Sequence, residues 1–200
     1  MRITLSSESV RNAVFTNESG QVLYKTTHPH HIGMGTTTIH KIRPNDDPMD
    51  MRDQFDVMGE IEWHVIGSST FRLNGQEMQS NEFLPSRGIL GRFVLSSSEP
   101  FFKINFRFFV LYRRRTFTGP DGCPYGWNMV FTKAVVLSRD DESRAELARY
   151  HKGSLGIVGS KHKPRLDVDP AVEHMLDLIV LTFVYVEKIR TDKDGENTGP

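Results

Sequence analysis

Residues 169–190 read DPAVEHMLDLIVLTFVYVEKIR, and this stretch decides the fold. Asp169 can cap the first backbone amides of a helix, Pro170 suits the first helical position, and Glu173 lies near the positive end of the helix dipole. Lys188 and Arg190 suit the negative end. Between these signals Val172, Met175, Leu176, Ile179, Phe183 and Val186 follow helical spacing, while Leu178, Val180, Leu181, Val184 and Tyr185 fill the other sides. A helix apolar all round must be enclosed. The rival is a strand, since Ile179, Val180, Thr182, Val184 and Val186 are β-branched; length and the start signals favour the helix. A membrane span is excluded by length: the run from Leu178 to Val186 is nine residues, whereas a bilayer takes ~20.

Working outward, the segments before this helix read as strands. Arg2–Leu5 alternates, and Val14-Phe15 with Val22–Tyr24 flank a turn-rich Thr16–Gly20. Thr36–Ile42 is β-branched, and Ile61, Trp63 and Val65 alternate with Glu62 and His64. Phe71–Leu73 runs into Asn74-Gly75. Gly119–Gly122 is a turn between Thr116-Phe117 and Tyr125–Trp127. Val135–Leu137, Leu147–His151, Ser154–Gly159 and Arg165–Val168 add short strands. The expected fold is mainly β (α+β): an antiparallel β-barrel or closed sandwich enclosing the hydrophobic C-terminal helix. Residues 1–190 form a single domain, and the polar tail Thr191–Pro200 is expected to be disordered.

Composition narrows the function classes. The chain has 200 residues, enough for a core without disulfides. One cysteine, Cys123, rules out an intramolecular disulfide and a cysteine-cluster metal site. Residues 1–20 lack signal- or transit-peptide character, so a cytoplasmic location is the expectation. Lys plus Arg and Asp plus Glu are 25 each, which gives no reason to expect a nucleic-acid partner. Charge is uneven locally: Asp46, Asp47, Asp50, Asp53, Asp56, Glu60 and Glu62 make one stretch acidic, and Lys103, Arg107 and Arg113–Arg115 make the middle basic.

A set of short motifs resembles a fungal domain family of unknown function: Asn45–Pro48, Met51–Asp53, Glu60–His64, Thr116–Gly122, Glu173–Met175 and Thr182–Lys188. The resemblance covers most of residues 1–190. At the level of fold it implies kinship with the tubby C-terminal and LURP-one-like group, in which a barrel of antiparallel strands encloses a hydrophobic C-terminal helix. That wider group is associated with phosphoinositide binding or lipid scrambling, but no lipid-contacting motif matches here residue by residue. A shared fold alone does not carry function.

Candidate sites divide from ordinary structure as follows. His28-Pro29-His30-His31 lacks the spacing that sets two metal ligands on one helical face and reads as a solvated loop. His64 and His174, with Asp177 or Glu62, have the chemistry of an acid–base set, but nothing in the sequence brings them together. The esterase elbow, phosphate loop, zincin and dinucleotide motifs are absent. Cys123 is a passive turn thiol, and the acidic run lacks calcium-loop spacing. No catalytic, cofactor-binding or metal-binding residue is assigned, and no cofactor is expected. Phe101, Phe102, Phe106, Phe108 and Phe109 with Lys103, Arg107 and the triple arginine are the best candidate for docking on an anionic membrane surface.

The functional expectation is a non-enzymatic binding module for a lipid headgroup or a protein partner. The alternatives are a small-ligand carrier or enzyme using the barrel mouth, and a structural adaptor. Residues 93–113 are read as an insertion, either translated intron sequence or a real extension of the hairpin. The resembled family passes almost directly from a segment like Gly88–Arg92 into the following hairpin. Six of the thirteen phenylalanines fall in these 21 residues, as translation of a pyrimidine-rich retained intron would give. Removing 21 codons keeps the reading frame.

Overall fold

A computed structural model describes residues 1–29, 35–44, 53–64, 66–88, 113–129, 135–154 and 162–196. The strands are β1 (Arg2–Leu5), β2 (Val14–Thr16), β3 (Val22–Thr27), β4 (Gly35–Arg43), β5 (Gln54–Trp63), β6 (Thr70–Leu73), β7 (Gln76–Gln79), β8 (Ser86–Gly88), β9 (Arg113–Thr118), β10 (Pro124–Met129), β11 (Val135–Arg139), β12 (Glu146–His151) and β13 (Arg165–Val168). A short helix, α1 (Ser80–Phe83), joins β7 to β8, and α2 (Leu176–Glu196) follows a 3-10 segment, Pro170–Met175. Among the described residues the strands form one sheet in the order β7-β6-β5-β4-β3-β2-β1-β13-β12-β11-β10-β9-β8. The first strand therefore pairs with the last, through Arg2↔Asp167, Ile3↔Leu166 and Thr4↔Arg165.

The helix is enclosed, as its all-round apolar surface requires. Ile179 to Val186 are buried without exception. Tyr185 stacks on Trp63 of β5 with ring centroids 5.5 Å apart and meets Phe71 of β6 at 4.8 Å. Phe183 faces Trp127 of β10 and Tyr150 of β12 at 6.0 and 4.9 Å. Leu181 lies against Gly59 of β5, where an added Cβ would be 3.5 Å from Leu181 and 2.9 Å from the Arg72 carbonyl oxygen. Thr182, the polar interruption of the apolar run, donates to the Leu178 carbonyl and accepts from the Trp127 indole N–H at 2.9 Å.

Three expectations need correction. The sheet is not closed into a barrel, so of the two expected forms a sandwich, or else an open sheet, fits, and the reason is parity. Among the described residues all neighbouring pairs are antiparallel and the strand count is odd, so the outermost strands, β7 and β8, run in the same direction. Pairing them would need a parallel crossover of about a dozen residues or more, but the link is only α1 with Leu84 and Pro85. Side chains fill the seam instead: Phe83 of α1 meets Phe71 at 5.4 Å and Phe117 of β9 at 6.4 Å, and Phe117 stacks on Tyr125 at 5.6 Å.

Secondly, the helix does not stop at Arg190. It continues to Glu196. The Thr191 hydroxyl bonds the Glu187 carbonyl and Lys188 pairs with Asp192, which supports the extra turn. Residues 197–200 lie outside the described residues. Thirdly, the helical start is a 3-10 segment rather than α-helix, although Asp169 caps it as expected by accepting from the Ala171 N–H at 2.9 Å. Of the strand expected over Ser154–Gly159, only Ser154 is described, in an isolated bridge to His162.

The proposed insertion, residues 93–113, lies outside the described residues except for Arg113, which opens β9 and pairs with Gly88 of β8. The docking phenylalanines Phe101 to Phe109 lie outside them as well, as do Asp46, Asp47 and Asp50.

Candidate functional site

Because α2 fills the interior, a concave candidate site has to lie outside the core, and a recess is found beside the last turns of α2. Glu187 and Arg190 continue the buried stripe of Phe183 at helical spacing, so charged groups are carried inward where the apolar run ends. Arg190 donates from Nε and Nη2 to the two carboxylate oxygens of Glu187 at 2.7 and 2.6 Å, and the two side chains are only 6% and 2% exposed. Lys188 leans over the Trp63 ring, 5.3 Å from its centroid.

Beside this pair is a recess of about 250 Å³ between the last turns of α2, the β1–β2 connection and the end of β12. Tyr150 contributes a buried wall. Its ring packs on Phe183, and its hydroxyl has no hydrogen-bond partner among the described residues. Burial, and then the nearby Glu187 and Glu8 carboxylates, push the Tyr150 pKa far above the ordinary phenol range. The hydroxyl therefore stays protonated and able to donate. Lys152 approaches Glu8 at 3.9 Å across the rim. Arg11 also lines the recess and is 3.2 Å from the His28 imidazole.

His28 corrects the solvated-loop reading of the histidine cluster: it is buried. A guanidinium offers only N–H donors, so Nε2 of His28 accepts from Arg11 and Nδ1 carries the proton toward Thr37 Oγ1 at 3.0 Å. Thr37 in turn accepts the Trp63 indole N–H at 2.8 Å. The ring is thus a joint in a polar chain from Arg11 to Trp63. His30 and His31 lie outside the described residues.

The acid–base candidates stay apart. Asp177 accepts from the Tyr24 hydroxyl at 2.6 Å and from Lys41 at 2.8 Å. Burial and that carboxylate raise the Tyr24 pKa far above its usual range. Lys41 pairs in register with Asp56 on β5. His64, 3.3 Å from Glu62 and 2.7 Å from the Ser68 carbonyl, lies eight residues farther along the chain, roughly 26 Å at strand rise. His174 is exposed near the start of the helix. Among the described residues no group of three His, Cys, Asp or Glu is placed to hold a metal ion.

The basic stretch is partly consumed by structure. Arg114 is buried, lies across Gly126, and donates to Asp140 at 2.8 Å and Asn128 at 3.2 Å. Arg115 turns inward, donating to the Leu84 carbonyl at 2.9 Å with its guanidinium 5.6 Å from the Tyr185 ring centroid. Cys123 sits in the β9–β10 turn, where its N–H donates to Asp121 at 3.0 Å. No described helix is long and apolar enough to cross a membrane.

The sequence reading missed Tyr150, Glu187 and Arg190 as a group. The available signal was the phase of the helix: 183, 187 and 190 share one stripe, so charge placed there is charge placed inside.

Comparison with known proteins adds one match. A family profile described as a family of unknown function, DUF6593, matches residues 8–192. No curated protein and no solved structure matches the chain. With nearly the whole length matched, the chain belongs to the DUF6593 family of unknown function.

Proposed function

We propose that this chain is a non-enzymatic binding module that takes its ligand in the recess beside the last turns of α2. Tyr150 carries the reading: the residue lines a concavity, and its buried hydroxyl retains its proton and has no protein partner among the described residues. Buried polar groups are normally satisfied, so an unsatisfied one beside a concavity is a reason to look for an occupant there. Among the occupants weighed from the sequence, this favours a small ligand at the mouth of the wrapped sheet over a lipid headgroup or protein docked on the basic stretch, since Arg114 and Arg115 are engaged within the fold. The enclosed α2 supports grouping the fold with the tubby-like proteins, and the lone cysteine supports a cytoplasmic location.

Amide NMR spectra of the isotope-labelled protein, titrated with a panel of small acids, amines and polyols and separately with anionic vesicles, test the reading. Shifts concentrated at Arg11, Tyr150 and Arg190 with a small molecule are expected. Vesicle-induced changes elsewhere, with the recess silent to the whole panel, would replace it with membrane docking.

A further inference from the structure

We propose that the recess, read above as the binding site, is selective for a small monocarboxylate held between the Tyr150 hydroxyl and the Arg11 guanidinium. The inference follows from which groups in the lining are already matched. Arg190 is held by Glu187, Lys188 by Asp192, and Lys152 lies against Glu8. Arg11 is the cation of the lining that has no carboxylate within ion-pair distance among the described residues; its hydrogen-bond partner is an imidazole nitrogen of His28. The unmatched groups are therefore a guanidinium and a phenol O–H. Both donate, so the occupant must accept.

Charge sets its valence. Arg11, Lys152, Lys188 and Arg190 against Glu8, Glu187 and Asp192 leave the lining with one net positive charge. A single negative charge neutralises it, whereas a phosphate dianion would leave an excess facing three carboxylates in a site of reduced dielectric. A carboxylate also has two oxygens, one for each donor. Size sets the remainder. A volume of about 250 Å³ lies just below the ~300 Å³ at which drug-sized pockets begin, and Val10 with the Tyr150 ring offers an apolar wall for a short chain. A carboxylic acid of a few carbons meets all of these terms.

Butyrate is the probe, with butyramide as its uncharged isostere and inorganic phosphate as the competing anion, followed by amide NMR and by thermal midpoint. Butyrate should shift the Arg11 and Tyr150 signals and raise the midpoint. Tyr150→Phe keeps the ring and should fold at least as well as wild type, because it removes a hydroxyl without a protein partner. Arg11→Gln keeps an N–H for His28 while removing the charge. Each should weaken butyrate about tenfold or more, the loss expected for one hydrogen bond to a charged group. Equal binding of butyramide, tighter binding of phosphate at the same residues, or unchanged butyrate affinity in both variants overturns the carboxylate assignment. Absence of any butyrate response does so too. The first two results leave the recess as the binding site. If the wider panel is also silent there, both readings fall.

Discussion

Thr182→Val tests the way α2 is locked in the sheet. The substitution keeps the volume and β-branching and removes the oxygen that accepts the Trp127 indole N–H at 2.9 Å. Trp127 and Thr182 are both fully buried, so the N–H cannot recover a bond to water. Leaving a buried donor unsatisfied costs about 1–3 kcal/mol. The lost bond from Thr182 Oγ1 to the Leu178 carbonyl is the smaller part, because that carbonyl accepts within the helix anyway. A net loss of about 1–2 kcal/mol is expected, or roughly 2–8 °C in midpoint for a chain of this size. Unfolding by denaturant, followed by circular dichroism, measures it without relying on indole fluorescence. Trp127→Phe also destabilises, through the smaller ring. In the double variant the two losses should fall short of their sum by about 1 kcal/mol, since the second removes a bond already broken. A Thr182→Val protein as stable as wild type, or strict additivity, would refute the claim that this bond pins the helix.

Gly126→Ala should destabilise by about 1–3 kcal/mol as a small-to-large change, because its Cβ would be 2.5 Å from Arg114 Nε, and Arg114 is fixed by Asp140 and Asn128; adding Arg114→Ala should not cost the full sum in a melting series. Leu181→Asp or Phe183→Asp places an unpaired charge among fully buried side chains and should prevent folding at a cost of several kcal/mol; a soluble variant with a native melt would contradict the enclosed helix. Burial and then Arg165 hold the His151 pKa below the ordinary imidazole range, against the pull of Asp167. The unfolded chain thus takes up the proton first, stability falls as pH drops below about 6.5, and His151→Gln should flatten that slope in pH-dependent melts. Deleting residues 93–113 joins Arg92 to Arg114, placing an arginine opposite Gly88 where Arg113 now pairs. The shortened protein should fold, and its failure to do so, with every transcript retaining these codons, would make the segment part of the domain.

The fold was legible where the signal was local. Ile179 to Val186 announced an enclosed helix because no face could meet water, and Asp169-Pro170 announced its start. The β2–β3 and β9–β10 hairpins followed from Asn17–Gly20 and Gly119–Gly122. Closure was not legible. It depends on whether the number of strands is odd, and β7 and β8 are too short and polar, at Gln76–Gln79 and Ser86–Gly88, to be counted from their sequence. The recess was hidden for a different reason. Tyr150, Arg11 and Glu187 are distant in the chain, and only the β1–β13 pairing and the phase of α2 bring them together. His28 misled because a Pro-flanked histidine run looks solvated, while the acceptor its ring offers to Arg11 is visible only in three dimensions.

With β1 paired to β13, Arg2 meets a partner 165 residues downstream. A ribosome adding ~5–20 residues per second therefore needs roughly 8–35 s between making the two. Throughout that interval β1 lacks its β13 partner, and Ile3, Leu5 and Phe15 lack the core that α2 completes. Of the described elements α2 is the last to be made and the one the others pack around, so until it emerges the nascent chain presents an apolar surface that this helix later covers. Such a protein depends on protection during synthesis more than its finished stability would suggest, and chains cut short before residue 176 are the ones a quality-control system would meet unfolded.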